Sequence, residues 1–430
     1  MTTQDLERLP KSGRIFAVAN TLTHMVEASL KRHRPELGIL GDRVYSLEGR
    51  GSLLAALPRD AQVPVIPFYV EPSEFRIGKP IDARKLRAIA CPDDRIAYLE
   101  WRISLLAERG LFKQQTDRPL AGARRTDCCA PRPVAAPVPP DLLEREIAAL
   151  GSQCRFAASG VLEVFLAPAG RIPKTIHEIG RLREIAFRAV GEGTGRGVDL
   201  DRFDARYLHL FVWNSTRREI VGGYRLAASS LGPEGLYTAT LFQYGPEFLD
   251  RVGPALELGR SFVRLEYQRS FAPLLLLWKG IGRYVAANPG YKTLFGPVSI
   301  SNQYSKLSRE LMIAFLEKRE WLAGLAGLVR PRRPPARRAA AELCRDLDDR
   351  SDIVSDLEPG AQGVPVLLRQ YLRLGGKLLG FNVDQFFSEA LDGLILVDLT
   401  KTEPRLLERY LGKTEAQTFL NHWKGFHGTL

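Results

Sequence analysis

Glu257-Leu258-Gly259-Arg260-Ser261-Phe262-Val263, followed by Leu294-Phe295-Gly296-Pro297-Val298-Ser299-Ile300-Ser301, decides how this chain is read. Both stretches look like buried strands, yet the first carries a carboxylate and a guanidinium. Residues three apart on a strand lie on opposite faces, unless a bulge at Gly259 re-aims one of them into a cleft. Charges placed this way mark a site. The other reading is a buried ion pair, or two strand-end charges meeting water.

Outward from that core the pattern is mixed α/β. Strands are expected at 161–167, 207–214, 219–228, 255–263, 292–298 and 394–399, with an extended stretch at 377–381. Helices are expected at 174–190, 273–287, 303–318 and 365–374. Residues 1–112 form a separate α/β fragment, with strands at 15–19 and 63–70 and a helix at 94–109. Residues 113–140 are rich in Pro and Ala and form the linker. A second domain then runs over 141–430. Near 325–362 it carries a basic insertion, where Arg330, Arg332, Arg333, Arg337 and Arg338 stand among prolines and alanines.

The 430 residues exceed one ordinary core, and 45% hydrophobic with 26% charged is the composition of a globular protein. Its net charge of +12 favours acidic partners: nucleic acid, anionic lipid or an acidic carrier protein. No helix-turn-helix, zinc-finger spacing or aromatic RNA-binding box argues for nucleic acid. Cys91, Cys128, Cys129, Cys154 and Cys344 are odd in number and hold no CxxC, which points to a reducing cytoplasm. The start of the chain has no signal-peptide pattern, and the apolar stretch 272–287 is interrupted by Lys279 and Arg283, so it reads as a helix within a fold.

Chemistry concentrates in the second domain. Asp199, Asp201 and Asp204 follow the glycine cluster Gly191-Glu192-Gly193-Thr194-Gly195-Arg196-Gly197, and Arg225 closes Gly222-Gly223-Tyr224-Arg225. The glycine cluster follows a helix and lacks the Lys-Ser/Thr of a P-loop, so nucleotide binding is a weak reading. Asp201, Asp204 and Glu257 have no histidine at ligand spacing, and no metal is expected.

Taken in order, Arg183-Glu184-Ile185-Ala186-Phe187, Asp201 and Asp204, Gly223-Tyr224-Arg225, Glu257-Leu258-Gly259-Arg260, Trp278-Lys279-Gly280-Ile281-Gly282, Gly296 to Ser301 and Pro365 to Leu372 resemble the GNAT-fold acyltransferases that use long acyl chains. These are the ornithine lipid N-acyltransferases, often labelled haemolysin-like, and more distantly the acyl-homoserine lactone synthases. The likeness runs from about residue 141 to 415. It implies a GNAT fold with a central mixed sheet and an enzyme of lipid biosynthesis. The implied reaction moves a 3-hydroxy fatty acyl group to the α-amine of an amino acid, ornithine first. No cofactor is held. The co-substrate is an acyl carrier protein bearing a phosphopantetheine thioester, or acyl-CoA.

Roles follow from the resemblance. An amine attacks a thioester only when unprotonated, so a carboxylate is wanted as base, and Glu257 is the candidate, beside Arg260. Backbone N–H groups of Phe262 and Val263 would receive the oxyanion. Arg264, Arg269, Ser270 and Phe271 precede a helix N-terminus suited to the phosphopantetheine phosphate. Arg183, Phe187, Asp201, Asp204, Arg225 and Ser299 would bind or order substrate, the alternative being a structural ion network. Basic charge suits an acidic carrier and an anionic membrane surface, and with it a cytoplasmic, peripheral location.

The first domain resembles a glycerolipid (lysophospholipid) acyltransferase domain, whose Asn-His-Pro and nearby acid form a base pair. Here Thr21 follows Asn20 where the histidine belongs, His24 is displaced, and Glu48-Gly49-Arg50 comes too soon for a complete lobe. A truncated, inactive remnant is expected. Other functions considered are a signal synthase resembling the lactone makers, a lysophospholipid O-acyltransferase and a non-enzymatic lipid- or acyl-binding protein.

Overall fold

The computed structural model describes residues 131–302, 304, 306–336 and 365–426, and most of 9–106. They fall into two compact units. The first holds the described residues before 107 with 306–312, and the second holds the remaining described residues.

In the first unit, β1 (Gly13–Ala19) runs parallel to β2 (Leu37–Ile39), β3 (Tyr45–Ser46) and β4 (Val65–Glu71), and β4 turns back antiparallel into β5 (Glu74–Ile77). Ile15 and Ala17 pack with Val26 and Leu30 of the helix α1 (Thr23–His33), while Phe16 and Val18 enter a second cluster with Leu86 of α2 (Ala83–Ala88). Both faces of β1 are therefore buried, as a central parallel strand requires. The described residues between 95 and 106 are helical.

The second unit is an eight-stranded sheet. Its order is β14 (Lys377–Asp384), β15 (Ala390–Asp398), β12 (Thr293–Ile300), β11 (Ala255–Val263), β9 (Glu219–Ala228), β8 (Leu208–Asn214), β7 (Leu162–Pro168) and β6 (Arg155–Ser159). Every neighbouring pair is antiparallel except β11 with β12. A small ribbon pairs β10 (Phe242–Tyr244) with β13 (Val329–Pro331). The β8–β9 hairpin turns where the Asn214 side chain accepts the N–H groups of Thr216 and Arg217, and Arg218 takes a left-handed φ of 53°.

Helices cover both faces of this sheet. α3 (Pro140–Ala148) and α4 (Pro173–Ala189) lay Leu143, Ile147, Leu182 and Phe187 against Phe211, Trp213 and Phe262. α5 (Ala272–Ala287) covers the other face, where Trp278 meets Tyr224 of β9, Tyr371 of α6 (Val366–Arg373) and Tyr410 of α7 (Pro404–Leu411). The chain closes with α8 (Lys413–Phe426).

Two departures from the sequence reading have physical causes. β15 begins at Ala390 rather than 394, because Asp392 and Gly393 interrupt the apolar run that signals a strand. β6 is a short, exposed edge strand without alternation, and the sequence gives no signal for it. Of the basic insertion, Arg330, Arg332 and Arg333 are described, and Arg337 and Arg338 lie outside the described residues, as do 113–130 of the linker.

The candidate site lies at the one parallel pair of the eight-stranded sheet. β11 and β12 register only from Ala255–Thr293 to Glu257–Phe295. Beyond that point β12 stays with β15 as far as Ile300, β11 stays with β9 as far as Val263, and a wedge opens between them. At its apex a Cβ on Gly296 would run into the carbonyl of Leu258, so only glycine lets the strands meet there.

Candidate active site

The wedge is lined by Leu258, Gly259, Arg260 and Ser261 of β11 and by Pro297 and Ser299 of β12. It encloses about 50 Å³. On the α5 side it is walled by Tyr224, Leu367 and Tyr371, with the Tyr224 hydroxyl close to those of Ser261 and Tyr371. On the α4 side Phe187, Tyr237, Phe387 and Asp392 close it. The opening thus reaches both faces of the sheet.

Arg260 enters this cleft through a bulge. The β9–β11 ladder pairs Gly259 with Arg225 and next pairs Phe262 with Gly223, leaving one extra residue on β11. Arg260 adopts a φ of 49°, a conformation that costs a non-glycine residue about 1–2 kcal/mol. The kink turns its guanidinium to the face that Arg225 also occupies, 3.2 Å from Asp199 and 3.7 Å from Asp201. The rings of Tyr237 and Phe387 sandwich it at 4.8 and 4.7 Å.

Behind it lies a buried ion network, in which Nε and Nη2 of both Arg183 and Arg225 have no hydrogen-bond partner among the described residues. Arg183 bonds Asp204 at 2.7 Å, and Arg225 bonds Asp201 at 2.8 Å and approaches Asp204 at 3.2 Å. Both arginines are fully buried. Burial opposes ionisation of Asp204, but Arg183 and Arg225 overcome it and hold this carboxyl well below its ordinary range. For Asp199 burial prevails over the same arginines and over Arg260, and its affinity for a proton rises. Tyr207 and Tyr237 add ring faces to Arg225.

Glu257 shares this face but does not line the cleft. Its carboxylate accepts the N–H groups of Thr238 at 2.6 Å and Tyr237 at 3.1 Å, and the hydroxyl of Tyr207. Burial raises its proton affinity even against those donors. The backbone amides divide similarly. Arg264 N–H donates to Val221 O, so antiparallel alternation points the Phe262 N–H towards β9 and turns that of Val263 to the wedge side. The Phe262 side chain is core.

Of the residues ahead of α5, Arg264 is held by Glu219 at 2.6 Å and Glu266 at 3.1 Å. Arg269, Ser270 and Phe271 are exposed at the helix N-terminus, where Ser270 Oγ accepts the Ala272 N–H. In the glycine-rich loop, the N–H groups of Thr194 and Gly195 are occupied by the Glu184 carboxylate. Burial is the largest influence on Glu184, yet these donors with Thr194 Oγ1 and Arg188 bring it below its ordinary value.

Three carboxylates in or beside the cleft were not singled out by sequence reasoning, and of these Asp392 lines it. Asp384 accepts the Tyr237 hydroxyl at 2.9 Å. Glu192 accepts the Ser299 hydroxyl at 2.9 Å and is pushed up to about 7, chiefly by burial. Asp392, cross-strand partner of Ser299, is buried, and burial together with Asp384 and Glu192 lifts it well above its ordinary value. Its signal in the sequence was a lone acid inside the apolar run Ala390–Asp398. Among the described residues no cluster of His, Cys, Asp and Glu could hold a metal ion, and no helix is long and apolar enough to cross a membrane.

In the first unit His24 is exposed, and Glu27 accepts the Val44 N–H at 2.9 Å. Thr21 and Glu48-Gly49-Arg50 lie outside the described residues.

Comparison with known proteins places the second unit in a family. A family model described as "Acetyltransferase (GNAT) domain" matches residues 182–279. A glycine N(alpha)-acyltransferase of Bacteroides thetaiotaomicron is 30% identical over 61% of this chain and 85% of that protein. The chain belongs to the GNAT-fold Nα-acyltransferases. An L-ornithine N(alpha)-acyltransferase of Rhizobium meliloti is another such relative, 30% identical over 53% of this chain and 76% of the relative. With the glycine N(alpha)-acyltransferase of Phocaeicola vulgatus the identity is 36% over 43% of this chain, which spans 61% of that relative's length. Among solved structures, a CoA-dependent acyl-homoserine lactone synthase, BjaI, with SAM and isopentyl-CoA aligns at 12% identity over 57% of this chain and 88% of the synthase, with a TM-score of 0.30. A likeness of that strength says nothing about the site.

Proposed function

We propose that this Nα-acyltransferase moves a long-chain acyl group, 3-hydroxylated in its preferred form, from a carrier-protein or coenzyme A thioester to the α-amine of an amino acid. The observation that carries the reading is the wedge between β11 and β12, open to both faces of the sheet. A thioester entering from the α5 side and an amine entering from the α4 side would meet at Ser261 and Arg260. Holding both reactants there supplies the proximity this chemistry needs, with no covalent enzyme intermediate.

In this reading the Val263 N–H receives the oxyanion. Arg269, Ser270 and the α5 N-terminus meet the phosphopantetheine phosphate. The ion network of Arg183, Asp201, Asp204 and Arg225 holds the acceptor side rigid, with Phe187 as its wall, and Glu257 anchors the Tyr237 segment over Arg260. Glycine and ornithine are the acceptors in the relatives' names and head the list to be tried. The basic chain would work at an anionic membrane surface, and the first unit would be an inactive remnant of a glycerolipid acyltransferase domain.

The test is expression of residues 1–430, and of an Arg260→Gln variant, in a bacterial host that lacks aminolipids, followed by lipid extraction and mass spectrometry. A new N-acyl amino acid with the wild type, absent with the variant, is the expected result. No new lipid from folded, abundant protein would refute the proposal.

A further inference from the structure

Acidic side chains around the cleft outnumber the arginines beside them. Arg183, Arg225 and Arg260 face Asp199, Asp201 and Asp204, cation for anion. Asp384, Asp392 and Glu192 remain, and the cation acting on both Asp392 and Glu192 is Arg260, which the aspartates behind it already engage. Asp384 and Glu192 each have a hydroxyl donor, from Tyr237 and Ser299. Asp392 has none among the described residues, although only 5% of it is exposed and it lines the cleft. A buried acceptor that lines the cleft, with no donor among the described residues, is a place where a hydrogen-bond donor arriving with the substrate would bind.

We infer that Asp392 is the acceptor subsite for the α-ammonium group and the base that takes its proton. The inference rests on the acyl-transfer reading above. The incoming amino acid sets its ammonium against Asp392, and one proton passes to the carboxylate, leaving a neutral amine. The nitrogen lone pair attacks the thioester carbonyl, a C–N bond forms and the C–S bond breaks. The second nitrogen proton goes to the departing sulfur, giving an amide and a free thiol. Asp392 returns its proton to water as product leaves. Burial with Asp384 and Glu192 strengthens this carboxyl's hold on a proton, and the incoming ammonium facing it favours the ionised form that accepts one. The groups facing it are Glu192 from the loop after α4, Asp384 from β14, Ser299 from β12, Arg260 from β11 and the Tyr237 ring over that arginine.

The experiment uses the purified full chain with an acyl thioester and a panel of amino acids, measured from pH 6 to 10 as wild type, Asp392→Asn and Asp392→Ser. Wild type gives N-acyl product. Each variant is expected to lose about 100-fold in kcat/KM for the amine at pH 7, to keep the donor KM, and to recover as pH approaches the free amine's own pKa. A variant within threefold of wild type at pH 7, with the same pH profile, would overturn the assignment. In the wild type, an amine lacking the carboxylate should compete with the acceptor, and a 2-hydroxy acid lacking the ammonium should not. The reverse order would overturn the assignment even if a variant failed to fold. Absence of N-acyl product from wild type with every amino acid would defeat the acyl-transfer reading itself, and this assignment with it.

Discussion

Glu257 accepts the backbone N–H of Thr238 at 2.6 Å, and this bond fixes the turn that lays the Tyr237 ring on Arg260. In our account the most conspicuous acid on the central strand serves the structure. Glu257→Gln is expected to lower stability by about 1–3 kcal/mol, since an amide cannot receive all three donors. The protein that still folds should keep the wild-type pH profile of kcat/KM. A loss of 100-fold or more in activity without loss of stability would make Glu257 the base instead.

Arg225 is the keystone of the ion network, fully buried between Asp201 and Asp204. Arg225→Met should destabilise the chain by about 3–5 kcal/mol, because it leaves those carboxylates without their cation. Urea unfolding measures this, and an unchanged midpoint would contradict it.

Gly296 permits the closest approach of β11 and β12 at the wedge apex. Gly296→Ala should cost about 1–3 kcal/mol through the forced shift against Leu258. Acyl transfer should fall with it, because the strands that shape the cleft move apart. Thermal unfolding and the acylation rate check both effects, and a variant equal to wild type in each would refute the apex role.

Glu192 gives a pH signature. Its folded-state value of about 7 lies above its ordinary 4.5, so the folded protein binds the proton more tightly than the unfolded chain does. Its contribution is complete below pH 4.5 and is lost as pH rises through 7. Between pH 4.5 and 8, wild type should lose about 3 kcal/mol more stability than Glu192→Gln. Parallel curves for the two proteins would exclude that contribution.

Much of the fold was legible because its elements obey simple periods. Glu219–Ala228 and Ala272–Ala287 stood close to their final bounds, and Glu257-Leu258-Gly259-Arg260 pointed to a bulge where one occurs. The site was less legible. A strand period says which face Glu257 takes, but not that a turn around Thr238, far from it in sequence, will close on its carboxylate. Asp392 and Glu192 come from β15 and from the loop after α4, and only the sheet order β15-β12-β11 brings them to Arg260. Pairing across such distances leaves no local mark.

Direct assay of the purified chain tests the central claim most sharply: incubation with a long-chain acyl thioester and each of glycine, ornithine and other amino acids, with products resolved by mass spectrometry. Formation of an Nα-acyl amino acid with release of free thiol is expected, with Arg260→Gln inactive though folded. Thiol release without any N-acylated product, or transfer to a lipid hydroxyl instead, would contradict it.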